Sequence, residues 1–257
     1  MLQSQLLSCT EDQQHMKIRL PELEDYPWFP KKLRSMQMDY IGWLVKVFKI
    51  YQPLIPKLNQ LASNQSIWVD LCSGSGMPVE SLKNKIRGIQ QILLTDLYPN
   101  SENKSDDYTW IDHSMNATVP FDQVGFRTMF NAFHHFNDTD KIKVLKNHAP
   151  HGILIAEILE PNLFNVIKIL FTTTIGQLLL RPFVKPFSIS GIIFTYLIPI
   201  NLFTVSWDGL ASVLKSSTEN ELKALAHETF PTGYTIQTGK VGRFGMQVVY
   251  LLMKPIK

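Results

Sequence analysis

The segment Trp68-Val-Asp-Leu-Cys-Ser-Gly-Ser-Gly-Met-Pro78 constrains the fold of this chain more than any other. Residues 66–71 read as a short apolar strand that carries Asp70 near its end. A Gly-x-Gly turn follows. Pro78 then suits the first turn of a helix, where a backbone N–H has no partner to lose. Strand, tight turn and helix in that order offer bare N–H groups and uncovered main chain to a ligand, because Gly74 and Gly76 can take φ > 0 and carry no Cβ. The dinucleotide fingerprint G-x-G-x-x-G has a third glycine where this chain has Val79. Asp70, four residues before Gly74, would repel a pyrophosphate and suits a cationic amino-acid group. The turn points to a nucleoside-like ligand without a diphosphate.

The rest of the chain alternates strand and helix. Apolar positions at helical spacing run through residues 33–61, broken by Pro53 and Pro56, and predict two helices ahead of the first strand. Near-continuous apolar runs at 89–96, 108–112, 126–132 and 152–158 predict four more strands, buried on both faces of a parallel sheet. Residues 138–146 have an N-terminal cap and helical spacing. Thr218-Glu-Asn-Glu221 is a capping box that opens a helix through about His227. Residues 232–237 and 246–253 are two strands joined by a short glycine-containing loop, a hairpin.

This arrangement resembles the class I S-adenosylmethionine (SAM) methyltransferases. The likeness rests on the glycine turn, an acid after strand two, the loop after strand four and the final hairpin, and covers roughly residues 64–160 and 206–255. Trp207-Asp-Gly209 is similar to a segment of bacterial methyltransferase-like proteins. The resemblance implies an α/β fold: a seven-stranded, mostly parallel sheet with helices on both faces and a C-terminal antiparallel hairpin. A helical cap at 1–62 would precede a SAM-binding domain at 63–257, with an apolar helical insertion at about 161–207.

The resemblance also implies which residues hold SAM. Asp70, Ser73, Gly74 and Gly76 come from the first loop. Asp96, with Leu97 beside it, would accept from both ribose hydroxyls. Asn116-Ala117 best matches the place of an acid followed by alanine that faces the adenine amine, with Asp112 as a rival. Asn131 and Ala132 would line the methionine side. His134 and His135 follow, where imidazole can orient or deprotonate an acceptor near neutral pH. Acceptor contacts are expected from Trp28, Phe29, Arg34, Tyr40, Glu157, Tyr196 and Asp208. Asp25, Phe194, Trp207 and Glu160 are further candidates.

The insertion is unusual in composition. About 22 residues from Pro186 to Trp207 carry no formal charge. Length permits a membrane span, but Ser188, Ser190, Gly191, Pro199 and Asn201 argue against an ordinary one. A lid over the acceptor pocket, an interfacial membrane contact with Lys168, Arg181 and Lys185 toward headgroups, and a dimer interface are the alternatives. Lid and membrane readings both imply an apolar or amphipathic acceptor.

The expected function is in-line methyl transfer to O, N or C of a small acceptor, driven by alignment and desolvation. A SAM-binding protein without transfer, non-methyl SAM chemistry such as cyclisation, and a nicotinamide oxidoreductase are the alternatives. No His/Asp/Glu cluster stands out in the sequence, so no metal is expected. A formal net charge of +3 and the lack of a basic stripe interleaved with aromatics give no footprint for nucleic acid. Cys9 and Cys72 make no disulfide framework, and residues 11–17 interrupt any signal-like run, so a cytosolic protein is expected, with a place at the membrane periphery as the further reading.

Overall fold

The computed structural model describes residues 20–99, 106–243 and 245–256. Of the polar lead-in read over residues 1–20, all but Leu20 lies outside them, Cys9 included. Seven strands form one sheet in the order β3-β2-β1-β4-β5-β7-β6. They are β1 Ile67–Leu71, β2 Gln91–Leu94, β3 Thr109–Trp110, β4 Phe126–Phe130, β5 Ile153–Glu157, β6 Tyr234–Arg243 and β7 Met246–Pro255. β1 to β5 pair in parallel, while β7 runs antiparallel between β5 and β6. The sheet is thus the one expected, with β3 reduced to two residues and β6 longer than read.

Alternation along the strands separates two cores. On one face Trp68, Phe126, Leu154 and Leu252 meet Leu58 and Leu61 of α2 (Ile55–Ala62), Val79 and Leu82 of α3 (Met77–Leu82) and Val45 of α1 (Lys31–Val47). On the other face Val69, Met129, Ile155 and Leu251 meet Val144 and Leu145 of α4 (Asp138–His148) and Leu222 and Ala226 of α9 (Glu219–Thr229). Both caps follow short-range chemistry. The Asn137 side chain accepts from the Asp140 N–H at 2.9 Å and opens α4 one residue earlier than its sequence cap suggests. The Thr218/Glu221 capping box forms as read.

α1 lies directly on the glycine turn. A Cβ on Gly42 would meet Ser75 Oγ at 2.5 Å and Met77 Cγ at 2.8 Å, so the approach requires glycine there. The N-terminal helices therefore form one wall of the site.

The insertion is a set of broken helices: α5 Leu163–Phe171, a π turn Thr172–Gly176, α6 Gln177–Leu180, α7 Ile189–Ile192, a second π turn Ile193–Leu197, and α8 Ile200–Lys215. The sequence boundary at 207 falls inside α8. The insertion packs on itself and on α1, where the Tyr40 hydroxyl donates to the Thr172 carbonyl at 2.7 Å.

Candidate active site

A cavity of about 460 Å³ opens at the carboxyl ends of the central strands, where the order switches between β1 and β4. Open α/β sheets bind ligands at such a point. Its floor is Cys72 to Ser75, Asp96 to Tyr98, Met115 to Thr118 and Phe130 to Ala132. Its outer wall is Glu24, Asp25, Arg34, Met38, Ile41, Gly42 and Val45 from the N-terminal segment, with His135 and Phe136 beside them.

The floor is built by strained, internally satisfied backbone. Cys72 (φ 54°), Gly74 (φ 55°), Gly76 (φ 73°) and Asn131 (φ 50°) all sit in the left-handed region. Cys72 and Asn131 are not glycine, and strain of this sort clusters where a site needs it. The turn offers fewer bare N–H groups than the sequence suggested. The Ser73 N–H donates to the Thr95 carbonyl at 2.9 Å, Gly76 to the Ser73 carbonyl at 2.7 Å, and Gly74 to Asp96 Oδ2 at 2.8 Å. A diphosphate finds few donors here. An uncharged group can still lie against the main chain, since a Cβ on Gly74 would meet nothing within 4 Å.

Asp96 is the best-fixed polar group of the cavity. Oδ2 accepts from Gly74 and Oδ1 accepts from the Tyr98 N–H, each at 2.8 Å. Each oxygen keeps a second acceptor site. Burial pushes its carboxyl above the usual range, against these two donors.

Asp70 is displaced from the role read for it. It is 1% exposed and does not reach the cavity. Its Oδ1 accepts from the Thr128 hydroxyl, which in turn accepts from Trp68 Nε1 at 2.7 Å. Burial pushes its carboxyl up to about 7, against hydrogen bonds from Thr128 and Ser73. Asp70 belts β1 to β4 behind the turn.

Leu97, Asn116, Ala117, Asn131 and Ala132 all line the cavity, with Ser73, Gly74 and Asp96. Gly76 sits just behind it, at the helix start. Asp112 is exposed and off the wall, which leaves Asn116-Ala117 as the facing pair. The Asn116 amide oxygen already accepts from the Thr118 N–H and the Thr118 hydroxyl, both at 2.9 Å. Its amide NH₂ is the end with free hydrogen-bonding capacity, the reverse of the sequence expectation.

The two histidines differ. His135 lines the cavity, and His134 is buried behind it. His134 Nδ1 meets Glu157 Oε2 at 2.6 Å, and the other oxygen of Glu157 accepts from the Phe133 N–H at 2.7 Å. His135 Nδ1 meets Asp25 Oδ1 at 2.8 Å. Burial opposes a charge on His135, but Glu22, Asp25 and Glu24 outweigh it and hold its pKa up at about 10. That environment favours the imidazolium over the neutral ring that a general base needs.

Of the acceptor candidates only Arg34 and Asp25 face the cavity. Arg34 donates to the Glu24 carbonyl at 3.0 Å and the Tyr26 carbonyl at 2.8 Å and lies 4.0 Å over the Tyr98 ring. Trp28 is 67% exposed against Tyr26, while Phe29 and Tyr40 are core. Tyr196 is exposed and donates to the Leu178 carbonyl, Phe194 is half-buried in the insertion, and Glu160 pairs with Lys240. Asp208 accepts from the Leu23 N–H at 2.6 Å, the Glu24 N–H at 3.2 Å and Gln37 Nε2 at 2.8 Å. With Trp207, whose Nε1 donates to the Pro21 carbonyl at 3.0 Å, it ties down the N-terminal wall and touches no cavity. The sequence missed Cys72, Met38, Ile41, Val45 and Thr118. A non-glycine in a tight turn was the only available signal, and only for Cys72.

No lid forms from the insertion. None of residues 161–207 lines the cavity. Instead the insertion turns apolar side chains outward, with Leu163 at 74%, Leu179 at 66% and Leu197 at 76% exposure.

The seven-stranded order, with an antiparallel strand seated between strands five and six, is the fold of the class I SAM-dependent methyltransferases. The plantazolicin methyltransferase BpumL, solved with S-adenosylhomocysteine, superposes with a TM-score of 0.51 at 8% identity, over 88% of this chain and 98% of its own. Human N-acetylserotonin methyltransferase, solved with SAM, gives 0.52 at 11% identity, over 87% of this chain and 56% of its own. No protein-family model and no curated protein sequence matches the chain.

Proposed function

We propose that this protein is a SAM-dependent methyltransferase that acts on a small apolar or amphipathic acceptor drawn from a lipid surface. One observation carries the reading. Four loops that the resemblance assigns to SAM converge on one cavity. The neighbours' bound SAM and S-adenosylhomocysteine support the same cofactor.

The residues present fit that cofactor. Asp96 would hold the ribose hydroxyls through the acceptor sites its backbone donors leave open. Asn116 and Ala117 would flank the base. The bare face of Gly74 and the left-handed bend at Asn131 would take the amino-acid arm. When bound, SAM supplies a sulfonium methyl group, an electrophile that needs no metal activation of its own. The chain's part is then to align an acceptor and exclude water. The N-terminal wall from Glu24 to Val45 does this, held by Asp208 and Arg34.

The insertion supports the lipid surface. Its interior holds buried polar groups beside an apolar contact of Val184 and Val205: Gln177, Arg181, Asn201 and Thr195 are all 2% exposed or less. Its exterior is apolar, and residues 161–207 hold three cations and no acid. Buried polar groups under an apolar exterior fit a body solvated by acyl chains. The helical run Leu163–Phe183 is 21 residues long with mean hydropathy 1.6, long and apolar enough to cross a membrane. Because α5 buries Asn165 against the protein, we place the insertion as an element seated in one leaflet, making the protein peripheral.

A label-partition assay tests this. Wild-type protein with methyl-labelled SAM and a total lipid extract should move label into the organic phase, and Asp96→Ala should not. Label that stays in the aqueous phase with every acceptor pool, or that moves equally with Asp96→Ala, contradicts the reading.

A further inference from the structure

The fold assembles a group that the sequence does not announce. Glu22, from the N-terminal wall, meets His134 and His135, more than a hundred residues away, at the boundary between the main cavity and a second one of about 250 Å³. Glu22 Oε1 lies 3.8 Å from His134 Nε2, and Oε2 lies 3.7 Å from His135 Nε2. The two rings are tilted with centroids 4.5 Å apart. One ligand atom from each residue falls within 4.8 Å of the others.

We infer that Glu22, His134 and His135 form a binding site for a divalent first-row transition metal ion with a coordination position left open. The separations are too long for hydrogen bonds. Ligands 2.0–2.1 Å from a tetrahedral ion stand roughly 3.3 Å apart, so a small closure of the three side chains would seat one. Both imidazoles are already oriented as metal ligands are. Each presents Nε2 to the site and gives Nδ1 to a carboxylate, Glu157 for His134 and Asp25 for His135. That second carboxylate fixes ring and tautomer in metal–histidine sites. The site also contains an unmet need. His134 Nε2 is buried without a hydrogen-bond partner, whereas Glu22 is held by Lys215 at Oε1 and by the Ser212 hydroxyl at Oε2. An ion between His134 and Glu22 would satisfy that nitrogen.

The charges nearby are consistent with this. Glu22, Glu24, Asp25 and Glu157 crowd two imidazoles and one ammonium, Lys215, whose Nζ lies 2.5 Å from Glu22 Oε1 and 3.6 Å from Asp25 Oδ2. Lys215 competes for Glu22, so metal binding requires it to shift toward Asp25. Two imidazoles and one carboxylate select among zinc, iron, manganese and cobalt ions over calcium or magnesium. His135 also lines the main cavity, so the open position faces an acceptor there. That last placement rests on the function proposed above, whereas the ion binding does not.

The test uses chelator-stripped full-length protein, titrated with zinc by calorimetry and with cobalt by visible absorption. Wild type should bind one ion with a d–d spectrum of nitrogen and oxygen ligation. Glu22→Gln and His134→Gln should abolish binding. Glu157→Gln, which only positions His134, should weaken it by about 10–100-fold. Lys215→Met should bind more tightly than wild type. Folding of each variant is checked by near-ultraviolet circular dichroism, and Lys215→Met keeps the test open if Glu22 or His134 variants fail to fold. No heat and no cobalt spectrum with wild type, or unchanged affinity in the folded Glu22→Gln protein, or no gain in Lys215→Met, would overturn the site. Ion binding that persists in a protein that transfers no methyl group would count against the proposed function alone.

Discussion

At the scale of single residues, Gly74 and Asp70 show how one turn separates stability from binding. A Cβ at Gly74 enters open space in the cavity, yet φ there is 55°. Gly74→Ala should therefore cost only about 1 kcal/mol of stability, from the left-handed backbone, while cofactor affinity falls by more than that cost accounts for. Equal losses in chemical denaturation and in ligand titration would place the effect in the backbone alone. Asp70 carries the opposite signature. Its carboxyl, raised to about 7 by burial, stays protonated in the folded chain while the unfolded chain ionises near 4. The folded state then binds more protons across that window, so the contribution of Asp70 to stability declines as pH rises from about 4 to 7, by as much as ~1.4 kcal/mol per pH unit. The stability difference between Asp70→Asn and wild type should shift in favour of the variant over that range. A difference that stays flat with pH would show Asp70 to be ionised in the fold.

At the scale of elements, the short 3₁₀ turn Leu23–Asp25 and the insertion decide what reaches the cavity. The turn is pinned by Asp208, which accepts three hydrogen bonds. Asp208→Ala leaves those donors unpaired and should destabilise the chain by about 1–3 kcal/mol, and weaken ligand binding because Glu24 and Asp25 belong to the wall. Retained melting temperature would contradict this. On the insertion, Phe171→Glu or Leu179→Glu should each weaken binding to anionic vesicles ~10-fold or more, given about 1.5–3 kcal/mol per buried large side chain, and leave the monomer folded. Failure of wild type to co-sediment with vesicles, or a stable dimer that the same substitutions dissolve, would reassign this face to a second copy of the chain.

Those elements also mark how far the sequence could be read. The strands, the capping box and the hairpin were legible because their signals are local: apolar runs, a Thr/Glu pair three residues apart, glycine between strands. β2 and β4 end earlier than read, because Asp96 turns to meet Gly74 and Tyr98, and Asn131 takes positive φ. Asp70, Tyr40, Tyr196 and Asp208 stand outside the cavity, since whether a side chain faces a cavity or a neighbouring helix depends on packing. The insertion was read as apolar but could not be read as turned outward, because composition does not say which face is covered. The Glu22/His134/His135 cluster was invisible for a further reason: its members meet only when the N-terminal segment folds over the loop after β4.

At the scale of the whole molecule, the parts agree on one design. A mostly parallel sheet brings four loops to a single edge, an N-terminal wall closes that edge, and an insertion with an apolar exterior sits to one side of it. The central claim is that the edge binds a sulfonium nucleoside, and calorimetry on the full chain tests it most directly. S-adenosylhomocysteine and SAM should each bind at a single site with a dissociation constant below roughly 100 μM, and Asp96→Ala should lose both, while NAD(H) gives no heat. Silence with both sulfur ligands alongside tight NAD(H) binding would contradict the account.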